Sequence, residues 1–317
     1  MLKVGLVGVG GISGAHITAW LKIPDVKLVA LCDVRPKQME KWAEQISVNV
    51  YTDCDEMLKK EELDILDICL PTYLHTDYSI KAMEMGINVI CEKPVSLKYE
   101  DVERVYNAAA KNNVKFMVAQ VLRFWREYIA LKEIVDNNTY GKLLSGSMTR
   151  LGNVPQDRWD DWMSDPKRSG LVPFDLHIHD VDFLIYTFGK PNSISTYRGK
   201  DDMQDYIHAI YQYDDFFICA DAAWFSGNMP FQAGFRFQFE HAVVNYENNK
   251  LTVYKDSGEA VDLDSGENFE TGNIGLPKTG GYFNEIEYFT DCVLQNKTPD
   301  IVKKNELQDV LSILLAL

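Results

Sequence analysis

The feature that most constrains the fold of this chain is an alternation of short apolar runs with helix-like segments, from residue 1 to about 120. We interpret five of the runs as buried strands: Lys3–Val7, Val26–Cys32, Ile65–Leu70, Ile87–Cys91 and Val114–Ala119. Segments of helical period, such as Ser13–Leu21 and Tyr99–Lys111, lie between them. Near-continuous apolar strands separated by helices predict a parallel sheet that helices cover on both faces. We therefore expect a doubly wound α/β domain over residues 1–122.

After Gly141 the pattern changes to longer stretches in which apolar and polar residues alternate. The predicted strands here are Leu143–Leu151, Tyr206–Tyr213, Phe216–Ala223, Phe231–Phe239 and Leu251–Tyr254. A period of two predicts an antiparallel sheet with one covered face, so we expect an α+β domain with a large, mainly antiparallel, open sheet over residues 123–317. Two helical stretches follow, and the second reaches Leu317 without a glycine cap or polar tail, which predicts a chain that continues.

Composition excludes several classes of protein. The length of 317 residues fits two domains. The 47 acidic residues outnumber the 32 basic ones, and this balance argues against a nucleic-acid partner, which needs clustered positive charge. No run approaches a membrane span, and the first residues lack the layout of a signal peptide. The six cysteines have no C-x-x-C spacing, so we expect a reduced, cytoplasmic setting without a zinc site.

The sequence Gly8-Val9-Gly10-Gly11-Ile12-Ser13 joins the first predicted strand to the first predicted helix. In that context a glycine-rich turn indicates dinucleotide binding, because small residues let the backbone approach a pyrophosphate. Asp33 ends the second strand, where a carboxylate accepts hydrogen bonds from the adenosine ribose and repels a 2′-phosphate. We predict NAD rather than NADP, although Arg35 softens that preference because it can pair with a phosphate. The predicted contacts are Gly8, Gly10, Gly11, Ile12, Asp33 and Arg35.

Polar residues also follow the later strands of the first domain. Ligands of open α/β sheets bind beyond the carboxyl ends of the strands, and Glu92-Lys93-Pro94 stands directly after one of them. Pro94 restricts Lys93 to extended backbone, which helps to hold its ammonium group in place. The segments Pro71-Thr72-Tyr73-Leu74-His75 and Gln120 to Trp125 follow other strands in the same way. Taken alone, a lysine at a strand end is usually a solvated surface charge.

A second candidate site is the segment Asp175-Leu176-His177-Ile178-His179. In a helix, Asp175 and His179 are four residues apart on one face, where the carboxylate orients the imidazole and favours its protonated form. Such a pair suits general acid–base catalysis. In a strand, His177 and His179 would face one way as a metal pair, and a histidine that only neighbours a helix cap is a third interpretation. We predict no metal site.

With these motifs in this order along the sequence, the chain resembles the glucose–fructose oxidoreductase/inositol dehydrogenase (Gfo/Idh/MocA) family. That family shows a glycine turn followed by a histidine, a P-[NT]-x-x-H segment, an E-K-P triplet and a D-x-x-x-H motif. The matching residues here are His16, Pro71, Thr72, His75, Glu92, Lys93, Pro94, Asp175 and His179. The resemblance implies a Rossmann-type first domain, and it implies cofactor contacts at Pro71, Thr72, His75, Glu92 and Lys93. Gln120 is a further candidate cofactor contact, because it directly follows the predicted strand Val114–Ala119. The resemblance also implies substrate contacts at Arg123, Trp125 and Trp159, and a homodimer or homotetramer formed through the open sheet.

The activity implied by the resemblance is reversible hydride transfer between NAD and a secondary alcohol or ketone of a sugar, sugar acid or inositol. His179 is then expected to remove the hydroxyl proton, Asp175 to orient that imidazole, and Lys93 to stabilise the developing alkoxide. Two other functions stay open at this point. One is an NAD-dependent glycosidase, in which the hydride is borrowed from the sugar and returned. The other is a regulatory protein that senses NAD without catalysis.

Overall fold

A computed structural model describes residues 1–156, 159–201, 204–263 and 280–317. The chain divides into two compact units, the first comprising Met1–Val121 with Phe269–Asn305 and the second Leu122–Asn268 with Glu306–Leu317. The sequence analysis places every residue after 122 in the second domain. The structure differs at this point, because the helix Gly281–Leu294 packs on the helix Ser13–Trp20 of the first unit.

The helices of the described residues serve both units. In chain order they are α1 Ser13–Trp20, α2 Pro36–Gln45, α3 Cys54–Lys60, α4 His75–Glu84, α5 Tyr99–Asn112, α6 Arg126–Asp136, α7 Pro166–Ser169, α8 Ile178–Phe188, α9 Gly281–Leu294 and α10 Lys304–Leu314. Local chemistry sets several of their ends. Asp53 caps α3 by accepting the N–H of Asp55 at 2.9 Å, and α5 ends at Asn113, which has a left-handed φ of 53°. None of these helices is both long and apolar enough to cross a bilayer.

The first unit is built on a six-stranded parallel sheet. Its strands are β1 Leu2–Val7, β2 Val26–Cys32, β3 Asn49–Tyr51, β4 Ile65–Ile68, β5 Asn88–Glu92 and β6 Phe116–Ala119. They are arranged in the order β3-β2-β1-β4-β5-β6, which is the doubly wound Rossmann order and confirms the predicted α/β class. All four residues of β4 are buried, as expected for a strand covered on both faces.

The second unit contains an eight-stranded sheet. Its strands are β7 Leu143–Asn153, β8 Ser193–Lys200, β9 Asp205–Gln212, β10 Phe217–Phe225, β11 Gln232–Phe239, β12 Ala242–Glu247, β13 Lys250–Lys255 and β14 Ala260–Leu263. Their order is β14-β13-β12-β11-β7-β10-β9-β8, and the pairing is antiparallel except between β7 and β10. This arrangement confirms the predicted mainly antiparallel sheet.

One face of this second sheet is covered by α6 and α8. The buried ring of Tyr128 on α6 makes edge contacts with Phe183 of α8 and Phe235 of β11, at centroid distances of 4.9 and 5.0 Å. The other face is exposed, because on β9 the buried residues alternate with Tyr206, His208 and Ile210, which face solvent. The alternation expected from the sequence is therefore present in the structure.

Candidate functional site

The glycine turn after β1 has the geometry of an anion-binding loop. Gly8 has a φ of +93°, and a Cβ there would lie 2.5 Å from the carbonyl oxygen of Cys69, so a larger residue cannot be accommodated. At Gly10, by contrast, an added Cβ would meet no atom of the described residues within 4 Å. The Ser13 hydroxyl donates to the Gly10 carbonyl at 2.7 Å where α1 begins. The turn therefore presents open backbone at a helix N-terminus, as a pyrophosphate requires.

Asp33 lies against the same turn. Its Oδ2 accepts the N–H of Val9 at 2.9 Å, and the residue is 6% exposed. Arg35 donates to the Asp33 carboxylate from its backbone N–H, from Nε and from Nη2, at 2.8, 2.9 and 3.0 Å. A ribose hydroxyl that bonds to Asp33 must therefore share the carboxylate with Arg35 or displace it.

A buried chain of charged groups holds the backbone at Lys93. The Glu92 carboxylate accepts the N–H of Lys93 at 3.0 Å, and its other oxygen lies 2.9 Å from Nε2 of His16. The second ring nitrogen of His16 lies 2.9 Å from Asp67, which also accepts the indole N–H of Trp20 at 2.7 Å. Burial acts to lower the pKa of His16, but the charges and hydrogen bonds of Asp67 and Cys69 together raise the pKa well above the usual value. His16 is thus an imidazolium between two carboxylates.

This arrangement changes the interpretation of Glu92. The sequence analysis predicts it as a cofactor contact, whereas its two oxygens bond to His16 and to the Lys93 backbone. His16, Asp67 and Cys69 also place metal-ligating side chains within 4.8 Å of one another. Because both ring nitrogens of His16 already lie against carboxylates, we interpret the group as a hydrogen-bonded cluster that positions Lys93.

His75 has a similar positioning geometry. It begins α4 directly after the single helical turn Thr72–Leu74, and its ring is buried. One ring nitrogen lies 2.7 Å from the Pro94 carbonyl and the other 2.7 Å from the Leu70 carbonyl. Burial lowers the pKa of His75, against the opposing effect of these two carbonyl groups. The predicted cofactor contact is therefore a residue that connects the loops after β4 and β5. Of the same motif, Pro71 is partly exposed and Thr72 is buried.

The segment that carries Asp175 and His179 is helical but is not one continuous α-helix. Pro173–His177 forms a π-helical turn, and α8 begins at Ile178. Asp175 and His179 are therefore four residues apart in a helical segment, as expected, but the turn that carries Asp175 is wider than an α-helical turn. The backbone before it is unusual as well: Gly170 and Leu171 have φ angles of 75° and 61°. Leu171 thus occupies the left-handed region that favours glycine, and π-helical turns and strained residues of this kind concentrate at functional sites.

Two buried neighbours fix the orientation of this segment. Nε2 of His177 lies 2.6 Å from the Tyr211 hydroxyl, and Asp180 forms an ion pair with Arg150 at 2.9 Å. Burial, together with Arg150, lowers the pKa of His177 to about 3, so that ring is neutral. His177 and Asp180 thus face the protein interior, while Asp175 and His179 are both partly exposed. Because the segment is helical, the premise of a strand-borne His177 and His179 metal pair is wrong.

Trp224 is a member of this site that the sequence analysis missed. Its indole N–H donates to the Asp175 carboxylate at 3.1 Å, from the end of β10. No local motif signals the hydrogen bond, because the two residues are 49 positions apart.

If Trp224 positions Asp175, Trp224→Phe is expected to lower kcat about tenfold, since a hydrogen bond to a charged group has been removed. The affinity for NADH is expected to stay unchanged, because Trp224 and the glycine turn belong to different units. Tyr213→Phe is the matched control: it removes a partly buried hydrogen bond from the Tyr213 hydroxyl to the Gly189 carbonyl in the same unit and should affect only the melting temperature. Equal loss of kcat in both variants would show that Trp224 contributes only to stability.

The three candidate substrate residues have different environments. Arg123 is fully buried, where it makes a bidentate ion pair with Asp182 at 2.7 and 2.9 Å and a second ion pair with Glu306. These contacts connect it to α8 and α10, so the geometry favours a structural role. Trp125 is also buried, with its ring 5.7 Å from that of Tyr128. Trp159 is partly exposed at the start of a short helical turn and stays a candidate.

Comparison with known families and proteins gives a consistent result. Residues 2–120 match a family model described as the GFO_IDH_MocA oxidoreductase family, NAD-binding Rossmann fold, and residues 128–260 match the GFO/IDH/MocA C-terminal domain. The myo-inositol 2-dehydrogenase of Thermotoga maritima is 30% identical over 190 residues, which cover 60% of this chain and 55% of that protein. The 2,7-anhydro-N-acetylneuraminate hydratase of Mediterraneibacter gnavus is 30% identical over 203 residues, covering 63% and 54%. The chain thus spans about half the length of the curated relatives it matches.

Among solved structures, a levoglucosan dehydrogenase in complex with NADH and levoglucosan superposes with a TM-score of 0.81 at 18% identity. The superposition covers 99% of this chain and 95% of that one. At this level of identity the likeness concerns the fold.

Proposed function

Because this chain belongs to the Gfo/Idh/MocA oxidoreductase family, we propose that it transfers a hydride between NAD(H) and a secondary alcohol or ketone of a sugar, sugar acid or inositol. The observation that best supports this function is the position of Lys93. It stands at the carboxyl end of β5, the edge at which dinucleotide folds bind their ligands, and a buried charged cluster fixes its backbone. A partly exposed lysine held in this way is a suitable partner for a developing alkoxide.

The residues of the first unit fit a dinucleotide. The open backbone at Gly10, with the following Gly11 and Ile12, would hold the pyrophosphate, and the Asp33 carboxylate would bind the adenosine ribose. Pro71 and Thr72 follow β4, beside the strand that carries Lys93. The side-chain amide of Gln120, after β6, is buried without a hydrogen-bond partner among the described residues, as expected for a group whose partner is a ligand.

In the proposed reaction each catalytic residue has one role. NAD, when bound, supplies the hydride acceptor. His179 removes the hydroxyl proton as general base, and Asp175, held by Trp224, orients the imidazole and accepts a neighbouring hydroxyl of the substrate. Lys93 contributes an ammonium group that stabilises the negative charge developing on the substrate oxygen.

Asp33 is expected to set the cofactor preference. Asp33→Asn removes the charge that binds the ribose diol and repels a 2′-phosphate, so the affinity for NADH should fall about tenfold. Binding of NADPH should improve, because Arg35 is then available to pair with the phosphate. Titration of both reduced dinucleotides by fluorescence checks the prediction, with Asp25→Asn as control, since this exposed aspartate precedes β2 at its other end. An unchanged ratio of the two affinities would contradict the assignment.

The proposed activity is tested by incubating the protein with NAD and a panel of polyols, sugars and sugar acids while absorbance at 340 nm is followed. A rise with one class of substrate supports the dehydrogenase. The second candidate, a reaction with transient hydride transfer, is favoured by the relative named as a hydratase, whose name implies no net redox change. Product release at constant absorbance would support that candidate or the glycosidase, and NAD binding with no turnover across the panel would support the sensor.

We further propose a cytoplasmic homodimer or homotetramer. Its location is supported by the six cysteines, all of which are free thiols. Its assembly is supported by the exposed face of the second sheet, on which Tyr206, Ile210 and Phe217 are each at least 40% exposed.

A further inference from the structure

Gln120 has a side chain whose hydrogen-bonding groups the fold leaves unused. The residue is 1% exposed, and neither Oε1 nor Nε2 of its amide has a hydrogen-bond partner among the described residues. A buried amide without partners destabilises a fold, because both polar groups lose their water. An unused donor and acceptor on one side chain therefore call for a ligand that supplies the complementary pair.

The position of Gln120 indicates which part of a dinucleotide could reach it. Ala119 at the end of β6 lies opposite Glu92 at the end of β5, so Gln120 and Lys93 leave the sheet side by side. The N–H of Gln120 bonds to the Val118 carbonyl at 3.0 Å, which shows that the chain turns sharply at this residue. The glycine turn and Asp33 lie at the ends of β1 and β2 and take the adenosine half of the cofactor. The nicotinamide half of the cofactor would then bind at the carboxyl ends of β5 and β6.

We propose that the Gln120 amide binds the carboxamide group of the nicotinamide ring. A primary carboxamide offers one carbonyl acceptor and one N–H donor, which satisfy Nε2 and Oε1 of Gln120 together. Two parallel hydrogen bonds also fix the rotation of the nicotinamide ring beside Lys93. This inference rests on the proposed NAD site, and it assigns the recognition of one functional group to one residue. Acetamido sugars also carry an amide that can pair with Gln120. The test therefore separates binding of the nicotinamide carboxamide from binding of an acetamido sugar.

The test compares dinucleotides that differ only in the carboxamide. NADH and the reduced 3-acetylpyridine analogue, which has a methyl group in place of the NH₂, are titrated by fluorescence without any sugar. Wild-type protein is expected to bind NADH about tenfold more tightly than the analogue. Gln120→Met, which keeps the shape but has neither polar group, is expected to bind both equally. Gln45→Met, at an exposed position of α2, is the control and should retain the wild-type ratio.

A second measurement, the melting temperature, needs NADH alone and no analogue. Because Gln120→Met removes two unsatisfied polar groups, the free protein is expected to melt at the same temperature or a higher one, while NADH should raise its melting temperature less than that of wild type. A wild-type affinity ratio in Gln120→Met would overturn the proposal, as would an effect confined to the binding of N-acetylglucosamine. Failure of the wild type to bind NADH at all would instead refute the proposed NAD site.

Discussion

Lys93→Met is expected to lower kcat by about 10²–10³-fold, the loss that follows when one donor to a developing oxyanion is removed. Methionine keeps the length and the apolar stem of the side chain, and the contacts of Glu92 with the Lys93 backbone do not depend on the ammonium group. The affinity for NADH should therefore change little, because the glycine turn and Asp33 are untouched. Stopped-flow measurement of the hydride step, with a parallel NADH titration, separates the two effects.

Lys98→Met is the matched control for this experiment. Lys98 is exposed, and its backbone makes hydrogen bonds in the same region: its N–H donates to the Ser96 hydroxyl at 3.1 Å and its carbonyl accepts the N–H of Asp101 at 3.3 Å. The control variant is expected to turn over normally. Normal turnover of Lys93→Met would remove this lysine from the mechanism, and a parallel loss of NADH affinity would assign it to cofactor binding instead.

His179→Ala is expected to remove the general base and to lower kcat by about 10²–10⁴-fold, the range for loss of a positioned proton acceptor. In wild type, kcat/KM for oxidation should fall on the acidic side, as the imidazole becomes protonated and can no longer accept the hydroxyl proton. The variant should show a flat acidic limb, because that titrating group has been removed. A pH–rate profile from pH 5 to 9 measures both effects.

His208→Ala is the control for this variant. His208 is an exposed histidine on β9 that pairs with Asp221 at 2.8 Å, in the same unit as His179. Its removal should leave both kcat and the pH profile unchanged. An unchanged acidic limb in His179→Ala would transfer the role of base to another group.

The sequence predicted the elements of the fold well where burial gives a clear pattern. The strands β1 and β2 follow directly from apolar runs, and β9 and β10 follow from the alternation on either side of the Asp214-Asp215 turn. It missed strands with few buried residues, such as the three-residue β3 and the edge strands β8 and β14, and it also missed β12, in which three of six residues are buried in alternation. It also placed α9 in the second domain, because chain order carries no information about which helix α9 packs against.

For the site, the sequence located the motifs but not the use of each side chain. Glu92 and His75 stand at the predicted edge of the sheet, yet their polar atoms bond to His16, to the Lys93 backbone and to two loop carbonyls. A motif shows at the end of which strand a residue lies, but it does not determine the direction of the side chain. The π-helical turn before His179 and the hydrogen bond from Trp224 to Asp175 were missed because both depend on tertiary packing.

In the proposed reaction a hydride passes directly between NAD and a carbon of the substrate. The most direct test supplies NADH with two deuterium atoms at C4, together with the keto form of whichever polyol the panel identifies, and follows the label by NMR. We expect one deuterium on the newly formed carbinol carbon for each dinucleotide oxidised, with no exchange into water. Product that carries only solvent hydrogen at that carbon would contradict it.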